Sequence, residues 1–519
     1  MSSASKPDYP PLALLSDDRL VALHSAIRDW QLTHGSLIKI GNWDDEDNIR
    51  ARPIGTSIFP TLFPRSRFEE ARQLQKDYNE LYAAVAEDDT WLAEVLRDML
   101  VSDPFAKALW SVHLKAKEAG YIQPLTMGIF RSDYMLHQQP VSAIDPSPGL
   151  AIKQVEFNTM SCAGGTHASI VNTMHHHLTA TGLYTTPPTP PNPIHPSALP
   201  TTSTISNLVF ALATAHAAYG PPKTALATAT AILMPVQPFN INICDERPLE
   251  YGLWARAPPI PCHRVDFPTD FLARTTRAET GELLFYPPHS TQPVEVSVAY
   301  MRAGYDAGEH DEEGMEARVR IETSRAIKCP SVLGQLAGFK KVQQALAGAG
   351  VLERFLLSGN KGRVERIRGT FAPMYPLDET EVGLWARGQA RRIETAGRYV
   401  LKPSLEGGGH NVYRGDIPEF LERAPEAEWR NWVLMEMIEP PKLRNVLLSA
   451  VGVHEGGVVS ELGIFGTCIW KKRKGGGAEI VENKQAGWSF KTKADSVDEM
   501  SVVKGYGCFD TPCLVEDLL

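Results

Sequence analysis

Lys402, Glu406 and the glycines Gly407, Gly408 and Gly409 fall within eight consecutive residues, in the run KPSLEGGGHN that ends at Asn411. A glycine triplet lets a chain bend sharply and lets a ligand come close to its amides, because no side chain stands in the way. Amides exposed in this manner suit phosphate oxygens, with Lys402 as a point charge and Glu406 as a ligand for magnesium bridging those oxygens. A flexible hairpin tip accounts for the glycines equally well. The run is not a Walker A sequence, since neither Lys-Ser nor Lys-Thr follows the glycines, and consecutive glycines do not form a dinucleotide fingerprint. The flanking strand-like runs favour a nucleotide. YVLKPS brings in the lysine, and WVLMEMIEP offers a backbone edge that could meet an adenine between Met435 and Met437.

The second chemical stretch is AIKQVEFNTMS, residues 151–161. As a strand its period of two places Val155 and Phe157 on one face, Glu156 and Asn158 on the other. A carboxylate beside an amide oxygen suits a hard divalent cation. Two polar residues facing solvent from a half-buried strand are the ordinary alternative. The small residues of SCAGG immediately after it favour close approach of a ligand to the backbone.

These residues need a large scaffold, and 519 residues are enough for two to four domains of roughly 150 residues each. Residues 66–118 read as helices, with Leu74, Tyr78, Leu81 and Tyr82 on one apolar face. Short strands follow over 119–165, then a proline-rich stretch over 184–202 that reads as an exposed loop. TATAILMPV (228–236) and VEVSVAYMR (294–302) read as strands of an α/β unit over 223–333. KKVQQALAGAG and IPEFLERA read as helices, and VVSELGIFGTCIWKK and AEIVENKQAGWSF as a C-terminal strand pair joined by a basic, glycine-rich turn. His175, His176 and His177 point about 100° apart on a helix, so they cannot converge on one metal ion and read as a surface cluster.

Lys+Arg of 52 against Asp+Glu of 61 gives a net charge of −9, which argues against a general nucleic-acid partner. The seven cysteines show no zinc-ligand or CxxC spacing, and Cys508 and Cys513 read as apolar packing. A reducing compartment fits them. With no signal-peptide core and no apolar run of about 20 residues, the expectation is a cytoplasmic protein with no membrane partner.

Taken in order, FRSDYM, VEFNTMS, RAGY, AIKCPSVLGQLAGFKKVQQ, LKPSLEGGGHNVY, VLMEMIEP and SELGIFG resemble the eukaryotic glutathione synthetase family of the ATP-grasp superfamily, from about residue 119 to the C-terminus. The resemblance implies an α/β ATP-grasp fold with an inserted α/β substrate-binding domain and a glycine-rich lid. Its divisions would be 1–222 (N-terminal helices and part of the core), 223–333 (the insertion) and 334–519 (lid and C-terminal core). It implies that Glu156, Asn158 and Glu406 hold magnesium, two ions in all, and that Lys340 and Lys402 contact the phosphates of ATP. Pro403, Ser404, Leu405, Glu406, Gly407, Gly408, Gly409, His410 and Asn411 would close over the triphosphate. Tyr413, Met435, Glu436, Met437, Ile438, Glu461, Lys493 and Glu499 would complete the nucleotide site. Arg131, with the two lysines, would act in catalysis. Arg131, Met160, Ser161, Cys162, Ala163, Asn242, Glu246, Arg302, Gly304, Tyr305, Lys491, Val502 and Val503 would meet the other substrates. The implied reaction activates a carboxylate as an acyl phosphate, then joins it to an amine, as γ-glutamylcysteine joins glycine. A homodimer is implied as well.

Departures from the family pattern gather at the substrate end. Lys491 stands where the family has arginine, which loses a planar two-pronged grip on a carboxylate. Met500-Ser501-Val502-Val503-Lys504-Gly505 replaces a mobile Gly-Gly-Val-Ala-Ala-Gly, so the covering loop should be stiffer. Asn240-Ile241-Asn242 and Cys244-Asp245-Glu246-Arg247 replace Glu-Arg-Asn and Phe-Asp-Gln-Arg, which keeps Asn242 but turns glutamine into Glu246. Two activities are consistent with this pattern: glutathione synthetase itself, or a ligase of the same machinery joining a different acid and amine. A non-catalytic ATP-binding regulator would predict damage to Lys340, Lys402, Glu156 or Glu406, and all four are present.

Overall fold

The computed structural model describes residues 9–11, 15–41, 50–139, 149–184, 193–288, 290–356, 361–404, 409–473, 476–516 and 518. Helix α1 (Arg65–Ala86) buries Phe68, Leu74, Tyr78, Leu81, Tyr82 and Val85, the spacing of one continuous apolar stripe. Strands β1 (Leu125–Gln138) and β2 (Leu150–Asn158) are antiparallel neighbours. Helix α2 (Gly165–Ala180) follows β2 directly, beginning after Gly164 in the left-handed region at φ 93°. Strand β3 (Thr230–Val236), helix α3 (Ile243–Trp254), strand β4 (Val294–Tyr300) and strand β5 (Ile327–Cys329) come next, with β3 parallel to β4 and β4 parallel to β5.

Helix α4 (Lys340–Leu346) precedes a smaller sheet formed with β6 (Tyr399–Lys402), β7 (Val412–Tyr413) and β8 (Val433–Glu436). The C-terminal hairpin of β9 (Gly452–Lys472) and β10 (Ala478–Ala494) then returns to the main sheet, where β9 pairs antiparallel with β1 along eleven residues from Leu125 to Met135. Among the described residues the main sheet has 13 strands, and its centre sets the C-terminal hairpin of β9 and β10 beside β1, a strand far away in the chain.

The small sheet shows a plain period of two. Tyr399 and Leu401 face a core with Ile417, Leu421 and Leu434, while Val400 faces Met374, Val433 and Met435 on the other side. Lys402 therefore leaves β6 on the Val400 side.

The main core is centred on aromatic side chains. Phe157 of β2 stacks on Tyr82 at 3.8 Å between ring centroids and lies 5.5 Å from Tyr78 and 5.3 Å from Phe130. Phe157→Ala should lower the unfolding free energy by about 3–5 kcal/mol, the range for emptying a buried aromatic position. A urea titration followed by tryptophan fluorescence measures it, and a loss below about 1 kcal/mol would contradict this packing.

Two readings of the sequence need correction. His175 is not on a helix surface: it is fully buried, and its Nδ1 lies 2.8 Å from the Tyr184 hydroxyl. The proline-rich stretch is not wholly an exposed loop, because Ile194, Ala198 and Leu199 pack in the core with Phe59 and Met174; 185–192 lie outside the described residues. No disulfide joins any of the seven cysteines, and Cys508 and Cys513 are buried. No described helix is long and apolar enough to cross a membrane.

Candidate active site

A cavity of about 780 Å³ is walled by both sheets, by the loop between β2 and α2, and by residues 495–503. Such a volume suits a large small-molecule ligand. Its centre is Glu156. The β1–β2 register shifts between Asp133 and Tyr134, which pair with Glu156 and Gln154, so Val155 is the extra residue of a β-bulge. The bulge breaks the expected alternation. Val155 packs towards Met435 and Ile438 and lines the cavity with Glu156 and Asn158, while Phe157 enters the opposite core. It also frees the Val155 carbonyl, which accepts from Lys402 Nζ at 2.8 Å.

Lys340 Nζ lies 3.3 Å from Glu156 Oε2. Although burial opposes the charged carboxylate, Lys340, Lys402 and Arg131 together hold the Glu156 carboxyl well below the usual range. Burial lowers the pKa of Lys402 against the pull of Glu156. The three groups form one buried charge cluster in which each ammonium depends on the same anion.

Arg131 and Asp133 leave β1 on the same side, two residues apart. Arg131 Nε and Nη2 donate to Asp133 at 2.7 Å each, and Nη1 donates to the Ala163 carbonyl at 2.8 Å. Asn158 Nδ2 donates to Asp133 at 3.1 Å and to the Arg131 carbonyl at 3.4 Å, which leaves its amide oxygen as the end suited to a cation. A Cβ on Gly463 would sit 2.7 Å from Asp133 Oδ1 and 3.0 Å from Arg131 Cδ. Gly463→Ala should therefore displace the Arg131–Asp133 pair and lower turnover about tenfold or more with the fold retained. Steady-state rates beside a far-UV circular dichroism spectrum check this; wild-type rates would contradict it.

At the other end, Arg302 Nε donates to Glu246 at 3.1 Å and Nη1 to the Cys162 carbonyl at 2.9 Å. Glu246 also accepts from Arg264 at 2.9 Å and from Asn240 at 2.5 Å. Tyr305 donates its hydroxyl to Gln237 at 2.6 Å, and Ser161, at φ 49°, donates to the Met301 carbonyl at 3.3 Å. Lys491 Nζ is 2.5 Å from Glu461, and Lys493 donates to the Val497 carbonyl. Glu499 gathers the end of the glycine loop, accepting from Gly409 N at 2.6 Å, Asn411 at 3.3 Å and Tyr413 at 3.1 Å.

The cavity wall thus includes Arg131, Glu156, Asn158, the loop from Met160 to Ala163, Asn242, Glu246, Arg302, Tyr305, Lys340, Lys402 and Pro403. It also includes His410, Asn411, Tyr413, the run from Met435 to Ile438, Glu461, Lys491, Lys493, Glu499, Val502 and Val503. Three expected residues lie off that wall. Gly304 turns at φ 84° with its carbonyl accepting from His310 and Gln335, Ser404 accepts from the Lys341 amide, and Gly409 is bonded to Glu499. Leu405, Glu406, Gly407 and Gly408 lie outside the described residues.

Asp133 and Asp245 are residues that motif reading overlooks. Asp245 accepts from the amides of Gly164 at 2.9 Å and Thr166 at 3.0 Å, which fixes the start of α2 against α3. The acid in FRSDYM and the acid three residues after Asn242 were the available signals.

A long mixed sheet, a small antiparallel sheet bearing a cavity-facing lysine, and the Glu156–Lys340–Lys402 charge cluster between them define an α/β protein of ATP-grasp architecture. Residues 17–514 match the family model described as eukaryotic glutathione synthase, ATP binding domain. Glutathione synthetase large chain of Schizosaccharomyces pombe is 34% identical over 512 residues, 94% of this chain and 96% of that one. Human glutathione synthetase is 33% identical over 460 residues, 88% of this chain and 89% of its own. A solved structure of a glutathione synthetase-like effector from Globodera pallida, in its apo form, superposes with a TM-score of 0.72 at 21% identity, covering 96% of this chain and 98% of that one, and shares the fold. The chain belongs to the eukaryotic glutathione synthase family.

Proposed function

We propose that this chain joins γ-glutamylcysteine to glycine in an ATP-dependent ligation that forms an amide bond through an acyl phosphate. Its co-substrate is ATP, and its other substrates are small molecules. The observation carrying the reading is that Glu156, Lys340 and Lys402, from three separate elements, meet in one cavity that continues to Arg131 and Arg302.

In this reading the Lys340 and Lys402 ammonium groups neutralise phosphate charge, which is the main demand of phosphoryl transfer. Contrary to the expected free edge, β8 is paired on both sides in the small sheet, so Met435, Glu436, Met437 and Ile438 flank the adenine at its C-terminal end, with Tyr413, Glu461, Lys493 and Glu499 completing the nucleotide site. The glycine loop covers the triphosphate and keeps water from the activated carboxylate. Arg131, held in a fork by Asp133, orients the reacting carboxylate. Arg302, Tyr305, Ser161, Asn242 and Glu246 hold the rest of the peptide, and Lys491, Val502 and Val503 bound the amine. Residues 223–333 serve as the substrate-binding unit, and the protein acts as a cytoplasmic homodimer.

Among the described residues no three His, Cys, Asp or Glu side chains are grouped to hold a metal ion. An anionic Glu156 beside the amide oxygen of Asn158 is nevertheless a hard-oxygen pair that fits magnesium, and Glu406 would add the third donor. Magnesium held there supplies charge neutralisation on the phosphate oxygens.

Release of ADP with γ-glutamylcysteine and a panel of amines tests the reading: turnover with glycine is expected, and no ADP formation with this pair would overturn it. A second reading, a ligase for a different amine, is favoured by the engagement of Lys491 with Glu461 and by the burial of Val502. The same panel decides it, through turnover with an amine other than glycine.

A further inference from the structure

The aromatic core behind Glu156 contains a chain of polar side chains that the proposed reaction does not use. Gln154 of β2 and Ser132 of β1 are fully buried, and Gln343 of α4 is 2% exposed. Gln343 Nε2 donates to Gln154 Oε1 at 3.1 Å, and Gln154 Nε2 donates to the Ser132 hydroxyl at 2.7 Å. Tyr134, Ile152, Phe157, Val342 and Leu346, from the same three elements, belong to the apolar core. An amide in such surroundings must be paired to be tolerated, and apolar side chains of the same shape fill such a space at little or no cost in stability. What a paired polar chain adds is one defined arrangement.

The β-bulge at Val155 sets where the chain begins. Gln154 pairs with Tyr134 and Phe157 with Ser132, so these four side chains leave the sheet on its core face. Glu156 pairs with Asp133 and leaves on the cavity face. In a regular strand Gln154 and Glu156, two residues apart, would share a face. The extra residue between them sends the amide into the core and the carboxylate into the cavity.

Helix α4 meets both. Lys340 and Gln343 are three residues apart and so are neighbours on its surface. Gln343 reaches Gln154 before the bulge, and Lys340 Nζ lies 3.3 Å from Glu156 Oε2 after it. Val342 and Leu346 pack the same helix into the core, but apolar contact is non-directional and tolerates small turns and slides of a helix. A hydrogen bond, with its narrow range of length and angle, does not.

We propose that Gln343 and Gln154 are positioning residues: with Ser132 they fix α4 against β2, so that the Lys340 ammonium is held at the Glu156 carboxylate where phosphate is transferred. None of the three lines the cavity, so they act through Lys340 and Glu156. The proposal rests on the ligase reading for the reaction it serves, while the placement of Lys340 bears on ATP binding whichever acid and amine are joined.

The test uses the full chain as wild type, Q343L, L346A and the triple variant S132A/Q154L/Q343L. Each is measured for its thermal midpoint, its calorimetric Kd for magnesium ATP, and ADP release with γ-glutamylcysteine and glycine. Q343L leaves the buried Gln154 oxygen without its donor and should lower the midpoint by about 2 °C or more. The triple variant removes all three polar groups at once and should regain a midpoint within about 2 °C of wild type. Its turnover should nevertheless stay about tenfold or more below wild type, and its Kd for ATP about fivefold or more above, because Lys340 is no longer held in place. A merely structural chain predicts that turnover recovers with the midpoint, and that result overturns the proposal. Wild type that binds ATP but forms no ADP with this pair overturns the ligase reading. The Kd for ATP then decides alone: raised in the triple variant it supports the proposal, unchanged it overturns it. No ATP binding by wild type overturns both. If the triple variant does not fold or does not regain its midpoint, Q343L is set against L346A, a core truncation on the same helix. A loss of turnover in Q343L about fivefold or more beyond that in L346A supports the proposal, and any smaller difference overturns it.

Discussion

Glu156→Gln should lower ADP-forming turnover by about a thousandfold, the scale on which a single preorganised charge acts in phosphoryl transfer. The substitution keeps shape and hydrogen-bonding capacity but removes the anion on which Lys340 and Lys402 both depend. Two buried ammonium groups then face each other without a carboxylate. Breaking such a cluster by removing one partner costs about 3–5 kcal/mol.

The pH dependence has a definite sign. In wild type the folded-state pKa of Glu156 is depressed, so its stabilisation is present above its unfolded pKa of about 4.3 and is lost as pH falls below it. In the variant Lys402, whose pKa burial already lowers, loses the anion that pulled it back up, so the unfolded chain binds more protons. Stability should then rise with pH towards the unfolded lysine value of about 10.4. Thermal unfolding of both proteins across pH 4 to 10 measures the two slopes; a variant with wild-type stability and wild-type turnover would remove Glu156 from the centre of the site.

Lys402→Met should behave differently, and the contrast is informative. Turnover should fall about a hundredfold to a thousandfold, because a phosphate-facing charge is lost. Stability should move by no more than about 1–2 kcal/mol, since relief of repulsion from Lys340 offsets the Val155 carbonyl left without its donor. The KM for ATP and single-turnover rates separate binding from chemistry. A large rise in KM with an unchanged single-turnover rate would assign Lys402 to binding alone.

Much of the nucleotide end was legible in the sequence. YVLKPS reads as a strand bearing Lys402, as β6 is, and α1 follows from the spacing of Leu74, Tyr78 and Tyr82. Which side of β6 the lysine leaves needed the packing of Val400 and Leu401 on opposite faces. The bulge at Val155 was not legible, because it is created by the register of β2 against β1, a partner that local pattern does not specify. The role of Asp133 was hidden for a similar reason. Its contacts with Arg131 and Asn158 need the second strand in place.

The central claim is that a carboxylate oxygen becomes bonded to the γ-phosphorus of ATP before the amine arrives. Turnover of γ-glutamylcysteine labelled with ¹⁸O in its reacting carboxylate, followed by mass analysis of the released phosphate, tests it most directly. One ¹⁸O carried into each phosphate is the predicted result. Phosphate released without label while amide bonds form would contradict the account.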